Sequence, residues 1–240
     1  MGNNYFSFKQ FTIHQDKCAM KVCTDACVFG AWAAAKALQF DSIKNILDIG
    51  CGTGLLSLML AQKTTAHIDA IEINEDAVTQ ARENILQSPW KERIVIINTP
   101  LQQFNSNKKY NLIICNPPFF EDDLKSGDEN KNAAKHDVTL KLDELVSFIK
   151  DNVTIDGHAV VLIPYHRTEY FSSLLTGNNL FINEALFLKQ SPAHKYFRSV
   201  ILFSNKNIQP VESNELVIHD GDRNYTEVFK ALLGSYYLKL

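Results

Sequence analysis

Asn45-Ile-Leu-Asp-Ile-Gly-Cys-Gly-Thr-Gly54 reads as a buried strand that runs straight into a loop of alternating glycines. Glycine has no Cβ, so the backbone can turn sharply there and come close to a ligand. Three of the chain's ten glycines, Gly50, Gly52 and Gly54, fall in this one loop. The apolar run Leu55, Leu56, Leu58, Met59, Leu60 continues at helical spacing, so the unit is strand, glycine loop, helix, the opening of an α/β fold.

A dinucleotide fingerprint would place its third glycine at position 55, which is Leu55. The spacing here is Gly-x-Gly-x-Gly, with Asp48 near the end of the strand. A second apolar strand, His67 to Ile73, carries Glu72 at its end. That is roughly the 20-residue distance at which an acid hydrogen-bonds ribose hydroxyls in nucleoside-binding α/β folds. Asp-x-Gly-x-Gly-x-Gly followed by such an acid resembles the class I S-adenosylmethionine-dependent methyltransferases. The competing reading is a glycine turn with an acid at a strand edge. The resemblance implies a Rossmann-like α/β fold: a mostly parallel seven-stranded sheet with a final antiparallel strand and helices on both faces.

The 240 residues, 45% of them hydrophobic, suffice for one domain with a substantial core. A formal charge of −3 gives no global basic footprint, so any nucleic-acid contact must come from a local patch. No apolar run reaches the roughly 18 to 20 residues of a membrane span, and Met1-Gly-Asn-Asn-Tyr-Phe6 has neither a signal-peptide nor a myristoylation pattern. The five cysteines, an odd number without a Cys-x-x-Cys pair, suit reduced thiols and a cytoplasmic protein. His14, Cys18, Cys23 and Cys27 match no common zinc spacing, so no metal is expected.

Residues 1–24 read as an N-terminal arm on a domain of residues 25–240. Alternation from Tyr5 to Ile13 predicts short strands that lid the site. Asp25 is expected to cap an Ala-rich helix, Ala26 to Leu38, and Asn74 one from Glu75 to Gln87. Further strands are expected at Arg93 to Asn98, Tyr110 to Cys115, Gly157 to Pro164, Phe181 to Leu188, Phe197 to Phe203 and Glu215 to Ile218. Further helices are expected at Leu142 to Asp151, around Thr168 to Leu175, and near Thr226 to Ser235. The alternation means a parallel sheet covered by helices, and the short connection after Leu188 favours an antiparallel pair. Glu121 to Val138 is a long polar loop of the kind that is usually functional or mobile.

The strand Tyr110 to Cys115 is followed by Asn116-Pro-Pro-Phe119. In a parallel sheet its carboxyl end opens on the same edge as the glycine loop, where ligands bind. Each proline fixes its own φ and restricts the residue before it, so Asn116 and the Pro117 carbonyl are held in a rigid, acceptor-rich turn. An adenine amine is a poor nucleophile because its lone pair is delocalised into the ring. Two acceptors that take both amine hydrogens favour a pyramidal nitrogen with its lone pair aimed at a sulfonium methyl. Phe119 offers a stacking face worth ~1 to 3 kcal/mol per base. A Pro-rich turn with a buried Phe is the plainer alternative.

Asn-Pro-Pro-Phe resembles the motif of amino-methyltransferases acting on adenine N6 and on the glutamine amide of peptide-release factors. Phe8-Lys-Gln-Phe11, Asp16 to Val22, Thr24-Asp25, Gly30-Ala-Trp32, Gln87-Ser-Pro-Trp90, Asn224-Tyr-Thr226 and Tyr237-Leu238 narrow this over the whole chain. Together they resemble the bacterial tRNA adenine-N6 methyltransferases that modify the adenosine 3′ of the anticodon in a valine tRNA. The resemblance implies S-adenosyl-L-methionine as cofactor and tRNA as partner, with no obligate protein partner. It assigns Asp48, Gly50, Cys51, Gly52, Gly54 and Glu72 to the cofactor, with Lys21, Thr24 and Asp25 near its methionine end. Asn116, Pro117, Pro118 and Phe119 become the catalytic motif, Asn116 also bordering the cofactor. Where such enzymes usually place an Asp near the cofactor's adenine, this chain has Asn98-Thr-Pro100-Leu-Gln102, leaving backbone groups or Gln102 for that task.

Lys189 to Lys206 holds Lys189, His194, Lys195, Arg198 and Lys206 without one Asp or Glu, interleaved with Tyr196 and Phe197. This is the candidate RNA patch, extended by Lys9, Lys17 and Lys21; solvated surface lysines are the plainer reading. Two other functions stay in view: a protein-glutamine methyltransferase, which would usually carry Tyr after Asn-Pro-Pro and a helical N-terminal domain, and a non-catalytic RNA- or dinucleotide-binding domain.

Overall fold

A computed structural model describes residues 3–18, 20–40, 43–118 and 140–240. Phe119 and the 121–138 loop lie outside the described residues. The glycine-loop strand is β3 (Asn45–Ile49), flanked by β4 (His67–Glu72) and β6 (Tyr110–Cys115), with β5 (Ile94–Asn98) beyond β4 and β7 (Val153–Pro164) beyond β6. All of these pair in parallel. β9 (Tyr196–Ser204) runs antiparallel to both β7 and β8 (Phe181–Lys189).

The sheet has eight strands, not seven: β10 (Glu212–Val217) adds in parallel to the outer edge of β8, in the order β10-β8-β9-β7-β6-β3-β4-β5. β9 is therefore an interior antiparallel strand and β10 is the last.

Period-two alternation divides the core. Ile46, Ile68, Leu112 and Ile114 face the layer of α1 (Thr24–Ala37), α2 (Leu55–Lys63), α3 (Glu75–Leu86) and α6 (Glu227–Leu233). Leu47, Ile49, Ile113 and Cys115 face α4 (Leu142–Asn152) and α5 (Thr168–Gly177). A central strand buried on both faces must be apolar at nearly every position, which makes Asp48, the polar residue of β3's interior, conspicuous. α1 packs closely on α2 at Gly30, where a Cβ would lie 2.6 Å from Met59 Sδ.

Asn74 caps α3 as read, its side chain accepting from the Ala77 N–H. Asp25 does not cap α1. Cys23 holds the cap position and Asp25 sits in the first turn, where its carboxylate bonds the Ala26 N–H and Arg198.

The arm forms an antiparallel hairpin of β1 (Tyr5–Ser7) and β2 (Thr12–His14). Its Phe8 and Phe11 rings stack at 4.5 Å and pack against Tyr237 and Trp90. Phe8, Phe11 and Ile13 are buried in the same core cluster as α1 and α2. The arm is thus part of the packing on the α3 side.

Candidate functional site

One rung of the sheet organises the site. Ile49 lies opposite both Ile71 and Cys115, so Gly50, Glu72 and Asn116 each stand one residue past the same rung at the carboxyl edge. With strands ~4.8 Å apart, the three fall within about 10 Å across the sheet.

Gly50, Gly52 and Gly54 all adopt left-handed φ, 71°, 54° and 81°, the conformation that favours glycine. A Cβ on Gly50 or Gly52 would meet nothing within 4 Å, whereas one on Gly54 would touch Ile85 and Ala81 of α3. The first two glycines therefore border open space and the third packs the loop onto a helix. The Gly50 and Cys51 N–H groups both donate to the Ile71 carbonyl. The Glu72 carboxylate completes the corner, accepting from the Gly52 N–H at 3.0 Å and the Asn74 N–H at 2.9 Å.

Asp48 is wholly buried beneath this loop. Gly54, at the N-cap of α2, has no side chain to offer, and Asp48 does that work from the strand below. Its Oδ2 accepts from the Ser57 hydroxyl at 2.7 Å, and the Ser57 backbone N–H bonds it as well. Burial pushes its pKa up to about 7, the Ser57 bonds acting against the rise and the charge of Glu72 adding to it. Oδ1 is buried with no hydrogen-bond partner among the described residues.

The Asn116 Oδ1 is the other orphaned acceptor at this edge, buried with no hydrogen-bond partner among the described residues. Pro117 is buried and Pro118 half-buried. Together with Leu142, Ile163, Pro164 and Arg167 they line a recess beside Asn116. Two buried acceptors with no donor among the described residues and a glycine cradle open to one side fit a cofactor that brings an ammonium and hydroxyls, and a substrate that brings an amine.

Lys21 is exposed and reaches the Asn3 carbonyl at 3.3 Å; Thr24 opens α1. On the side expected to face the cofactor's adenine, Asn98 bonds the Glu72 and Ile73 carbonyls. The Gln102 amide donates to Glu144 at 2.6 Å, which ties it to α4 and leaves the backbone around Pro100 as the remaining option.

The basic stretch is neutralised by residues distant in sequence. Lys189 pairs with Glu215 at 2.7 Å, Lys206 with Asp156 at 2.6 Å and Arg198 with Asp25 at 2.9 Å. Lys195 and His194 stay exposed, His194 Nδ1 sharing a hydrogen bond with Ser191 at 2.7 Å. Lys9 donates to the Gly234 carbonyl beyond α6, and Lys17 pairs with Glu83 on α3, so neither joins the β8–β9 patch through these contacts.

Two residues central to the site went unread in the sequence: Ser57 and Asn84. Asn84 is buried, its Oδ1 accepting from the His14 N–H and its Nδ2 donating to the carbonyls of His14 and Thr53, each at 2.9 Å. It joins the arm to the glycine loop. Gln80, one turn earlier and also buried, accepts from the Lys17 N–H. The available signal was two amides at i, i+4 on the face of α3 that carries Ala77, Ala81 and Ile85.

The thiols are not poised as nucleophiles. Burial pushes Cys18 up to about 11 and raises the buried Cys51 and Cys115 as well, with neighbouring carboxylates adding to each. Among the described residues no group of three or more His, Cys, Asp or Glu side chains is arranged to hold a metal, and no helix is long and apolar enough to cross a membrane.

Residues 20–137 match the family model of the methyltransferase small domain. Among solved structures the fold is similar to a predicted O-methyltransferase from Agrobacterium tumefaciens (TM-score 0.65, 14% identity, covering 85% of this chain and 95% of that one). It is also similar to a glycopeptide N-methyltransferase solved with S-adenosyl-L-methionine (TM-score 0.54, 9% identity, 73% and 93% covered). Such low identities speak for the fold alone. Curated relatives from Cytophaga hutchinsonii and Parabacteroides distasonis are 40% and 38% identical over the whole of both chains. One from Dyadobacter fermentans is 40% identical over 99% of this chain and 98% of its own. All three bear one family name, and on this end-to-end likeness the chain belongs to the tRNA1(Val) (adenine(37)-N6)-methyltransferase family.

Proposed function

We infer that the protein transfers the methyl group of S-adenosyl-L-methionine to the N6 amine of the adenosine 3′ of the anticodon in a valine tRNA. The names of the full-length relatives support this reading over glutamine methylation or a non-catalytic role. The observation that carries it at the level of chemistry is the buried Asn116 Oδ1, without a hydrogen-bond partner among the described residues, one residue past the rung shared with Gly50 and Glu72.

S-adenosyl-L-methionine, when bound, supplies an electrophilic methyl on a sulfonium. Toward it, Gly50, Cys51, Gly52 and Gly54 form the cradle, and Glu72 receives the ribose hydroxyls beside the two N–H groups it already accepts. Asp48 faces the ammonium through Oδ1, and Lys21, Thr24 and Asp25 border the methionine end. Asn116 Oδ1 and the Pro117 carbonyl accept the two amine hydrogens of the target adenine, localising its lone pair for attack. The amine becomes acidic only after the methyl has bonded, and its surplus proton then leaves to water, so no strong base is required beforehand. Pro118 holds the turn, and Phe119 stacks on the flipped base.

Lys9, Lys17, Lys189, His194, Lys195 and Arg198 remain the proposed RNA-facing set, with Lys195 and His194 the exposed members of its β8–β9 part. Residues 1–24 act as an arm that braces the glycine loop of domain 25–240 through Asn84. A tRNA-modifying role also argues for a cytoplasmic location. Mass spectrometry of nucleosides from valine tRNA incubated with protein and S-adenosyl-L-methionine tests the reading. N6-methyladenosine at the position 3′ of the anticodon is the expected product, and its absence would overturn it.

A further inference from the structure

We propose that Tyr165, seated on Tyr196 and Phe187, is the stacking platform for an unpaired nucleobase adjoining the target adenosine. This rests on the RNA-methyltransferase reading and adds a binding residue to it.

Tyr165 follows Pro164 directly at the carboxyl end of β7. Cys115 lies opposite Val161, so Asn116 stands one residue and Tyr165 four residues beyond a shared rung. At ~3.3 Å per residue Tyr165 is about 10 Å or less past Asn116, one strand over on the same edge. Pro164 and Arg167, which precede and follow Tyr165 in the chain, line the same recess as Pro117 and Pro118.

The ring is held in place yet open. Its backbone carbonyl accepts from the Thr168 hydroxyl, which also hydrogen-bonds Ser199 of β9, both at 2.7 Å. Tyr196 lies 5.0 Å away and Phe187 packs edge-on at 5.6 Å. Tyr196 is locked in turn, its hydroxyl bonded to Glu215 at 2.6 Å and Lys189 4.5 Å over its ring. The two lower rings are half-buried, while Tyr165 is 39% exposed.

A base that leaves its stack for an active site strips its neighbour of a stacking partner, and an aromatic ring at this distance supplies another. Charge agrees with RNA as the occupant. His166 shares the turn and Lys195 adjoins Tyr196, while Glu215 is engaged by Lys189 and the Tyr196 hydroxyl. One exposed ring on two half-buried ones is far smaller than the ~800 Å² per partner of a stable protein interface.

The test uses the full chain and a valine anticodon stem-loop carrying 2-aminopurine at the nucleotide on either side of the target adenosine. Stacking on Tyr165 should change the fluorescence of one probe on binding. Tyr165→Ala should abolish that change and raise the KM for RNA on the order of 10-fold, with S-adenosylhomocysteine affinity unaltered; Tyr165→Phe should keep both. If the wild type methylates the RNA but Tyr165→Ala leaves fluorescence and KM unchanged, the platform is wrong and the function stands. A wild type that does not methylate removes both. A Tyr165→Ala protein that changes only its oligomeric state in sedimentation would make this patch a protein contact instead.

Discussion

Arg198 Nε donates to Asp25 Oδ2 at 2.9 Å, joining β9 to the first turn of α1 across 173 residues of sequence. Both side chains are largely buried, 26% and 13% exposed. Asp25 is proposed at the methionine end of the cofactor and Arg198 toward RNA, so under the proposed function the pair links the two ligand sides. Arg198 also donates to the Phe197 carbonyl, and Arg198 lies opposite Pro164 in the sheet.

The link is expected to be energetic. Asp25→Asn, Arg198→Ala and the double variant, compared by denaturant unfolding, should show non-additivity of about 0.5 to 3 kcal/mol, the range for partners in contact. Strict additivity would mean that the pair contributes nothing beyond its separate side chains.

Asn116→Ala should lower the single-turnover rate of methyl transfer by roughly 10²- to 10³-fold, as for loss of one positioned hydrogen-bonding group in a transition state. Cofactor affinity should stay near that of the parent. An equal loss of rate and cofactor binding would move Asn116 out of the catalytic role.

Asp48 gives a pH dependence with a defined sign. Burial raises its folded pKa from 3.8 to about 7, so between these values the folded state holds a proton that the unfolded chain has lost. Its contribution to stability is fully present below 3.8 and is lost as pH rises to about 7. Asp48→Asn should therefore gain thermal stability relative to the parent across that window and hold the gain above it. Cofactor binding should run the other way: ionised Asp48 attracts the ammonium, so parent affinity for S-adenosylhomocysteine should climb through about pH 7. A flat titration curve for the parent would refute the contact.

Asn84→Ala removes an amide that makes three hydrogen bonds between arm and glycine loop. Each buried backbone group left unpaired costs about 1 to 3 kcal/mol. The expected outcome is a loss of a few kcal/mol in urea unfolding and faster proteolysis within the arm, whereas an arm cut at the parent's rate would show that other contacts hold it.

Lys195→Ala should weaken tRNA binding and reduce the slope of log affinity against log salt by about one contact's worth. Lys189→Ala should have a smaller effect because Glu215 already neutralises that lysine. Equal slopes for the two variants would show that the ion pair opens on RNA.

Much of this was legible in the sequence because it depends on local pattern. A strand buried on both faces must be continuously apolar, so β3, β4, β6 and β7 announced themselves, and alternation with helical spacing fixed their parallel order in principle. Left-handed φ at positions 50, 52 and 54 was foreshadowed by glycine at each. What the local pattern left open was partnership. Asp25 has the chemistry of an N-cap, yet tertiary folding brings Arg198 to it, and the helix begins before it. Glu215 to Ile218 reads as a strand, but only the exposed edge of β8 makes it, as Glu212–Val217, the eighth of the sheet.

The sequence of this protein alone determined the strand–glycine-loop–helix opening, the Asn-Pro-Pro turn and the acids at strand ends, because each is set by backbone sterics within a few residues. Only the tertiary structure decided which charges meet. Lys189, Arg198 and Lys206 read as a basic run until the sheet and α1 set Glu215, Asp25 and Asp156 against them. Ion pairing falls off with distance in space, and distance in space between residues far apart in the chain is what folding assigns.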